Sequence, residues 1–432
     1  MTPQTFKHCK KNIVGFILSL FMGFSQVWAQ GLEGYYQLPD IYKNTIVFMA
    51  EGDIWKVPIE GGLAQRLTTH TEEEKYPTIS PDGKTIAYYA TYEGLSEVYT
   101  IPIDGGITTR WTYSNSEGAR VVEWTPKGEI IYSSTEFGNA TNSRLAVIDI
   151  TTKLKTIIPL HQAHTGIINE IGIWFFVPLP DMNAHVKRYA GGMARQIWKF
   201  DGKNEAVKLT KDHLGESFNP MWFQERVYFI TDRDGMKNIW SMNSDGKDLK
   251  QHTFHAEFDV RSANVDDGKI VYQHGADLWV LDIASGNYNK INIKLGSDFE
   301  HLRETWVEKP ADYITSVNPD PNGEKVVVTA RGRVFVVPVK AGRTITFINE
   351  KDTVVRQRDA IFSYDGKNII SLSDVSGEYE FVQFMADGST KIKSISKNSK
   401  TLSYKGITSS DGNWIAYDDI DKNMYVLNIN TG

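Results

Sequence analysis

The stretch NPMWFQERVYFITDRDGMKNIWSMNSDGKDLKQHT, residues 219–253, is one complete unit of a repeat, and its reading decides the fold. An apolar, aromatic run (Val227, Tyr228, Phe229, Ile230) leads into the turn Asp232-Arg233-Asp234-Gly235. A second run (Ile239, Trp240, Ser241, Met242) leads into Ser244-Asp245-Gly246-Lys247, and a polar exit strand follows. Strands joined by Asp-Gly turns form an antiparallel meander, because glycine supplies the positive φ that tight hairpins need. A single meander cannot bury its own faces, so copies are expected on either side.

The copies are present. Asp53-Ile54-Trp55-Lys56-Val57-Pro58 returns as Glu97-Val98-Tyr99-Thr100-Ile101-Pro102, as Gln196-Ile197-Trp198-Lys199-Phe200, as Asp277-Leu278-Trp279-Val280-Leu281 and as Arg333-Val334-Phe335-Val336-Val337-Pro338. A turn motif keeps the same phase, as in Ser80-Pro81-Asp82-Gly83, Asp266-Asp267-Gly268, Ser363-Tyr364-Asp365-Gly366 and Ser409-Ser410-Asp411-Gly412. The period of about 40–45 residues is that of a four-stranded propeller blade. Counting units gives an all-β chain: a six-bladed β-propeller over residues 30–293, a polar linker over 294–310, and the first blades of a second, incomplete β-propeller over 311–432. The last unit starts at Tyr404 and stops part way through its meander, so the expectation is a chain that ends before its second ring does.

Residues 1–29 differ from the rest. Lys7, Lys10 and Lys11 precede an apolar run from Ile13 to Phe24, and Val27-Trp28-Ala29 supplies a small residue before Gln30. That is the layout of a secretory signal peptide, and the apolar run is short for a membrane span. The expectation is export to the periplasm, with no membrane attachment after cleavage. The sole cysteine, Cys9, would leave with the signal, so no disulfide or thiol chemistry is expected. A formal charge of -6 with no long basic block argues against a nucleic-acid partner. Glu72-Glu73-Glu74, the longest acidic run, reads as a solvated loop.

The run from Tyr228 to Gly235, with Ser244-Asp245-Gly246-Lys247 behind it, resembles the fifth blade of the tricorn protease family. Arg188-Tyr189-Ala190-Gly191-Gly192 with Gln196-Ile197-Trp198 resembles that family's fourth-blade insertion. The resemblance covers about residue 35 to the end, and six units followed by a restart match the family's pair of propellers. It implies the non-catalytic propeller portion of an exported serine peptidase, which gates or channels peptides toward a catalytic core outside this stretch. Its partners would be peptides or unfolded segments, with homo-oligomerisation through the full-length protein. The alternative is a stand-alone periplasmic TolB-like propeller that binds or scaffolds.

The residues themselves offer no catalytic, metal or cofactor motif. There is no Gly-x-Ser-x-Gly elbow, no His-Glu-x-x-His and no Gly-x-Gly-x-x-Gly. His161-x-x-His164 and His252-x-x-His255 lack the further ligands a zinc site needs and read as exposed loop histidines. Asp232, Asp234 and Asp245 read as turn formers rather than calcium ligands. Trp55, Trp198, Trp240 and Trp279 share one phase of the repeat and read as packing between blades. A guanidinium can hold a carboxylate through two parallel hydrogen bonds. Basic residues that anchor a peptide C-terminus are implied by the resemblance, and Arg120, Arg188 and Arg195, with Lys187, are the candidates.

Overall fold

The computed structural model describes residues 33–432, apart from 116–117, 138–141, 183–185, 348–354, 390–391 and 398. The expected signal segment lies outside the described residues. The chain divides into two compact units at Arg303/Glu304.

Residues 219–253 form a meander in the first unit: Ser217–Phe223, Arg226–Thr231, Asn238–Asn243 and Lys250–Gln251, hydrogen-bonded in that order. Val227 to Thr231 are all buried because neighbouring sheets cover both faces of the second strand. Gly235 (φ 98°) and Gly246 (φ 79°) make the two turns, and their N–H groups close onto Asp232 O (2.9 Å) and Asn243 O (3.0 Å). A buried hydroxyl then locks the exit. Thr253 Oγ1 accepts the Ile239 N–H at 2.9 Å and donates to Asn238 Oδ1 at 2.9 Å. Thr112 with Glu97 and Thr210 with Gln196 repeat this lock in the first unit, and Ser396 with Glu380 repeats it in the second. In these four sheets the polar residue at or just before the start of the third strand is therefore an acceptor placed for the Thr or Ser beyond the fourth.

Among the described residues the first unit has six such sheets. Their first strands are Gln37–Tyr42, Glu74–Ile79, Ala119–Trp124, Thr165–Ile168, Ser217–Phe223 and Val260–Asp266. Each touches the next, and the sixth touches the first, so the sheets surround an axis as in a β-propeller. Closure uses a strand not read from the sequence. Ile293–Leu295 runs parallel to Gly62–Arg66 as a fifth strand of the first sheet, pairing Ile293 with Gly62 and Leu295 with Ala64. Ile293 and Leu295 are buried, and the Tyr36 hydroxyl donates to Ile293 O at 2.8 Å. The stretch expected to begin a linker at residue 294 thus starts inside a sheet. Glu72-Glu73-Glu74 needs a correction as well: Glu74 opens the second sheet, is fully buried, and accepts from Thr68 Oγ1 (3.0 Å) and Tyr92 OH (2.7 Å).

Five of these first strands are bulged, and Thr165–Ile168 pairs in unbroken register. Leu38-Pro39, Tyr76-Pro77, Asn219-Pro220 and Arg261-Ser262 drop out of the ladder as pairs, and Val122 drops out alone. Leu38, Tyr76 and Asn219 take φ of 51–55°, in the left-handed region that few non-glycine residues enter. A bulge re-aims side chains, and here the bulged residues face the axis.

The second unit repeats the grammar in three sheets. Their first strands are Ile314–Pro319, Gln357–Phe362 and Ile407–Thr408, and the last sheet has three strands. Val327, Val336, Phe347 and Phe384 pack between its first two sheets, and Phe381, Ile395 and Ile415 between its second and third. Among the described residues, helix is confined to two short 3-10 turns, Glu300–Leu302 and Pro310–Tyr313.

Candidate functional site

The first strands of all six sheets in the first unit, five of them bulged, enclose a cavity of about 210 Å³. Arg120, His164, Arg195 and Arg261 line it, with Tyr76, Thr78, Glu123, Phe218, Ser262 and Asn264. Two of the three arginines singled out from the sequence are in this wall; Arg188 is not. Its Nε donates to Gly235 O at 3.1 Å, on the hairpin of the fifth sheet. Lys187 is exposed, 3.9 Å from Asp259.

The two arginines in the wall differ in what they can still bind. Arg195 is 9% exposed and its charge is already answered. Its Nε donates to Glu216 Oε2 at 2.6 Å, its Nη2 pairs with both Glu216 and Asp181, and the guanidinium lies 3.7 Å over the Phe218 ring. Arg120 has no carboxylate partner among the described residues. Its guanidinium lies 3.7 Å over the Tyr76 ring, and Nη1 donates to His164 Nε2 at 2.9 Å. Burial, with the Arg120 and Arg195 charges, pushes His164 down to about 3, so the ring is a neutral acceptor at Nε2. Arg261 was not singled out. It is exposed to the cavity and has no hydrogen-bond or ion-pair partner among the described residues. A signal for it existed. Leu38-Pro39, Tyr76-Pro77 and Asn219-Pro220 put proline where a central strand cannot hold it, which marks a bulge. The same phase in the sixth unit is Arg261-Ser262.

Among the described residues two Ser–His contacts occur, and neither is arranged for acyl transfer. Ser143 Oγ lies 3.1 Å from His164 Nδ1, but Arg120 occupies the other ring nitrogen. A nucleophile's histidine must accept the serine proton while a carboxylate steadies its far side. Here the arginine fixes the proton on Nδ1 and repels an imidazolium. Ser241 Oγ lies 2.8 Å from His252 Nε2, but Ser241 is fully buried. Burial, Arg226 and Lys250 all hold His252 below its usual value. These histidines, with His255 against Tyr272 OH (3.0 Å), are half-buried and partnered, not the exposed loop residues expected, whereas His161 is exposed as expected. The four tryptophans also differ among themselves. Trp55 is fully buried with its Nε1 donating to Ala50 O at 2.9 Å, whereas Trp198, Trp240 and Trp279 are half-buried. Among the described residues no three His, Cys, Asp or Glu side chains gather as a metal site, and no helix is long and apolar enough to cross a membrane.

Residues 33–287 match the family model of the tricorn protease N-terminal beta propeller domain. The chain belongs to the tricorn protease family. It is 29% identical to tricorn protease homolog 1 of Streptomyces coelicolor over 312 residues, covering 71% of this chain and 29% of that protein. A tricorn protease homolog of Saccharolobus solfataricus is 26% identical over 369 residues, 84% of this chain and 33% of that protein. The tricorn-family chain thus spans about a third of the length of the curated relatives it matches. In fold it is similar to the crystal structure of the tricorn protease, at a TM-score of 0.67 and 19% identity, over 91% of this chain and 39% of that one.

Proposed function

We propose that the first unit is a non-catalytic passage for peptides in an exported, periplasmic serine peptidase of the tricorn family. The observation that carries this reading is the pair Arg120 and Arg261. Two guanidiniums without carboxylate partners among the described residues face the cavity of about 210 Å³. They are placed to hold the C-terminal carboxylate of an extended peptide and so set which end enters. Family membership supports the peptide as ligand, because the relatives are named as proteases. Export rests on the basic and apolar start of the chain.

Calorimetric titration of the purified chain with short peptides tests the passage. Free-acid peptides should bind, carboxamides should bind about tenfold less tightly, and Arg261→Ala should erase the difference. Equal binding of acid and amide would remove the carboxylate role, and release of a product from any peptide would remove the non-catalytic one.

A further inference from the structure

The hydroxyl lock is rewired in the first sheet. In the second sheet Glu97 opens the third strand, and Thr112 Oγ1 and the Ser114 N–H both donate to its carboxylate. Asp53 holds the same place in the first sheet and is one methylene shorter. Thr68 Oγ1 still accepts the Ile54 N–H at 2.9 Å, but its proton goes to Glu74 Oε2 at 3.0 Å, across the seam to the second sheet. Arg66 Nη2 pairs with Asp53 Oδ2. Asp53 Oδ1 is left buried, with no hydrogen-bond donor among the described residues, and it meets the Glu74 carboxyl group. Asp53 is 1% exposed and Glu74 not at all. A buried acceptor that faces another acceptor is costly unless a proton lies between them.

The surroundings leave room for one such proton. Arg66 is the one cation paired with either acid among the described residues, since Lys75, next along the strand, pairs with Glu73. Tyr92 OH donates to Glu74 Oε1 at 2.7 Å, with Tyr88 OH 3.2 Å behind it and the His70 ring against Tyr92. Glu51 adds a further negative charge near Asp53. Burial first, and the Asp53 charge behind it, push Glu74 up to about 7, against the pull of the Tyr92 hydroxyl. Burial also raises Asp53, against Arg66. A calcium ion takes about six to eight oxygens, more than two carboxylates and a hydroxyl supply.

We propose that Asp53 and Glu74 share one proton, and that this proton is the clasp between the first and second sheets. With it the seam is shut. Without it two buried negative charges face one arginine, and the seam opens. The other seams lack the device. The Glu74 N–H crosses to Gly52 O at 2.8 Å, and Ala119, Ser217 and Val260 make the same crossing in the third, fifth and sixth sheets without an acidic side chain. The clasp also sits beside the ring's closure, because Arg66 ends the strand Gly62–Arg66 on which Ile293–Leu295 pairs. The folded seam keeps a proton that the unfolded chain gives up between about pH 4.5 and 7. Its support for closure is therefore complete below pH 4.5 and lost as pH rises through 7.

The test is hydrogen–deuterium exchange of the purified chain, read by mass spectrometry at about pH 6 and 8.5 and corrected for intrinsic chemical rates. Segments 45–58 and 74–90 should lose about tenfold in protection at the higher pH relative to 217–243 of the fifth sheet. Glu74→Gln carries an amide that can donate to Asp53 at any pH, so it should keep the protection at both. Asp53→Asn is the second variant should Glu74→Gln fold poorly. Equal relative protection of the wild type at the two pH values overturns the clasp. So does a pH response that survives Glu74→Gln; its loss in Asp40→Asn would then assign it to the other acid at this seam, whose Oδ2 accepts the Ile79 N–H. If calcium chloride restores protection at pH 8.5 in the wild type but not in Glu74→Gln, the pair is a cation site and the shared proton is overturned.

Discussion

The two units are built from the same sheet and differ in what happens at their edges. In both, the first strand carries a bulge with a left-handed residue: Asn219 (φ 55°) in the first unit, Asp359 (φ 52°) in the second. In both, an asparagine ties one sheet to the next, Asn219 Nδ2 to Ala263 O and Asn318 Nδ2 to Ala360 O, each at 2.8 Å. Yet the first unit seals its first sheet with Ile293–Leu295, while the last sheet of the second leaves Ile407, Met424 and Val426 exposed. A blade is thus a local object, specified by turns, a buried hydroxyl and alternation. A ring is not local, because it depends on a short strand that pairs with a distant one.

An identical insult in the two places should give unequal losses. Leu295→Asp buries a charge without a partner and is expected to cost the first unit about 4 kcal/mol. Val426→Asp, on an exposed face, should change stability by less than about 0.5 kcal/mol. Chemical denaturation checks both, and equal losses would break the comparison. Tryptophan gives a second contrast. Trp55→Ala should cost about 3–5 kcal/mol, because it empties a filled site and orphans Ala50 O. Trp414→Ala, at 41% exposure, should cost no more than about 1 kcal/mol.

The shared lock should behave alike in both units. Thr253→Val and Ser396→Ala each leave a buried N–H without its acceptor, and about 1–2 kcal/mol is expected from either. A clear inequality, measured by the same denaturation, would mean that the hydroxyl is not common grammar.

The smallest effect depends on pH and belongs to the enclosed unit alone. Folding raises Glu123 from its ordinary value to about 7, so the folded state holds more protons than the unfolded one between about pH 4.5 and 7. Stability from this group is therefore present below pH 4.5 and lost as pH rises through 7. Glu123→Gln should gain about 1 kcal/mol at pH 8, after allowance for partial exposure, and nothing at pH 4. Melting curves at the two pH values read it, and a gain at pH 4 would contradict the sign.

Much of the blade was legible because its signals are local. The runs Val227 to Ile230 and Ile239 to Met242 both fall in strands, and each Asp-Gly pair in residues 219–253 is a turn. The closing strand was not, since three residues of alternation mean little until their partner is known. The cavity was half legible. Arg120 and Arg195 were found by residue type, but type alone cannot tell a guanidinium already satisfied by Glu216 from one still open. Residue type also could not place Arg188, whose Nε donates to Gly235 O outside the cavity wall. Arg261 needed the proline phase, and Glu123 needed strands from different sheets brought round one cavity.

The bulges have a consequence for how such a protein can change. Leu38-Pro39, Tyr76-Pro77, Asn219-Pro220 and Arg261-Ser262 make no ladder pairs, so what they present to the axis is decoupled from what holds the strands together. A lineage could rewrite the lumen's chemistry, acidic for basic or aromatic for charged, one bulge at a time, while the scaffold kept its register.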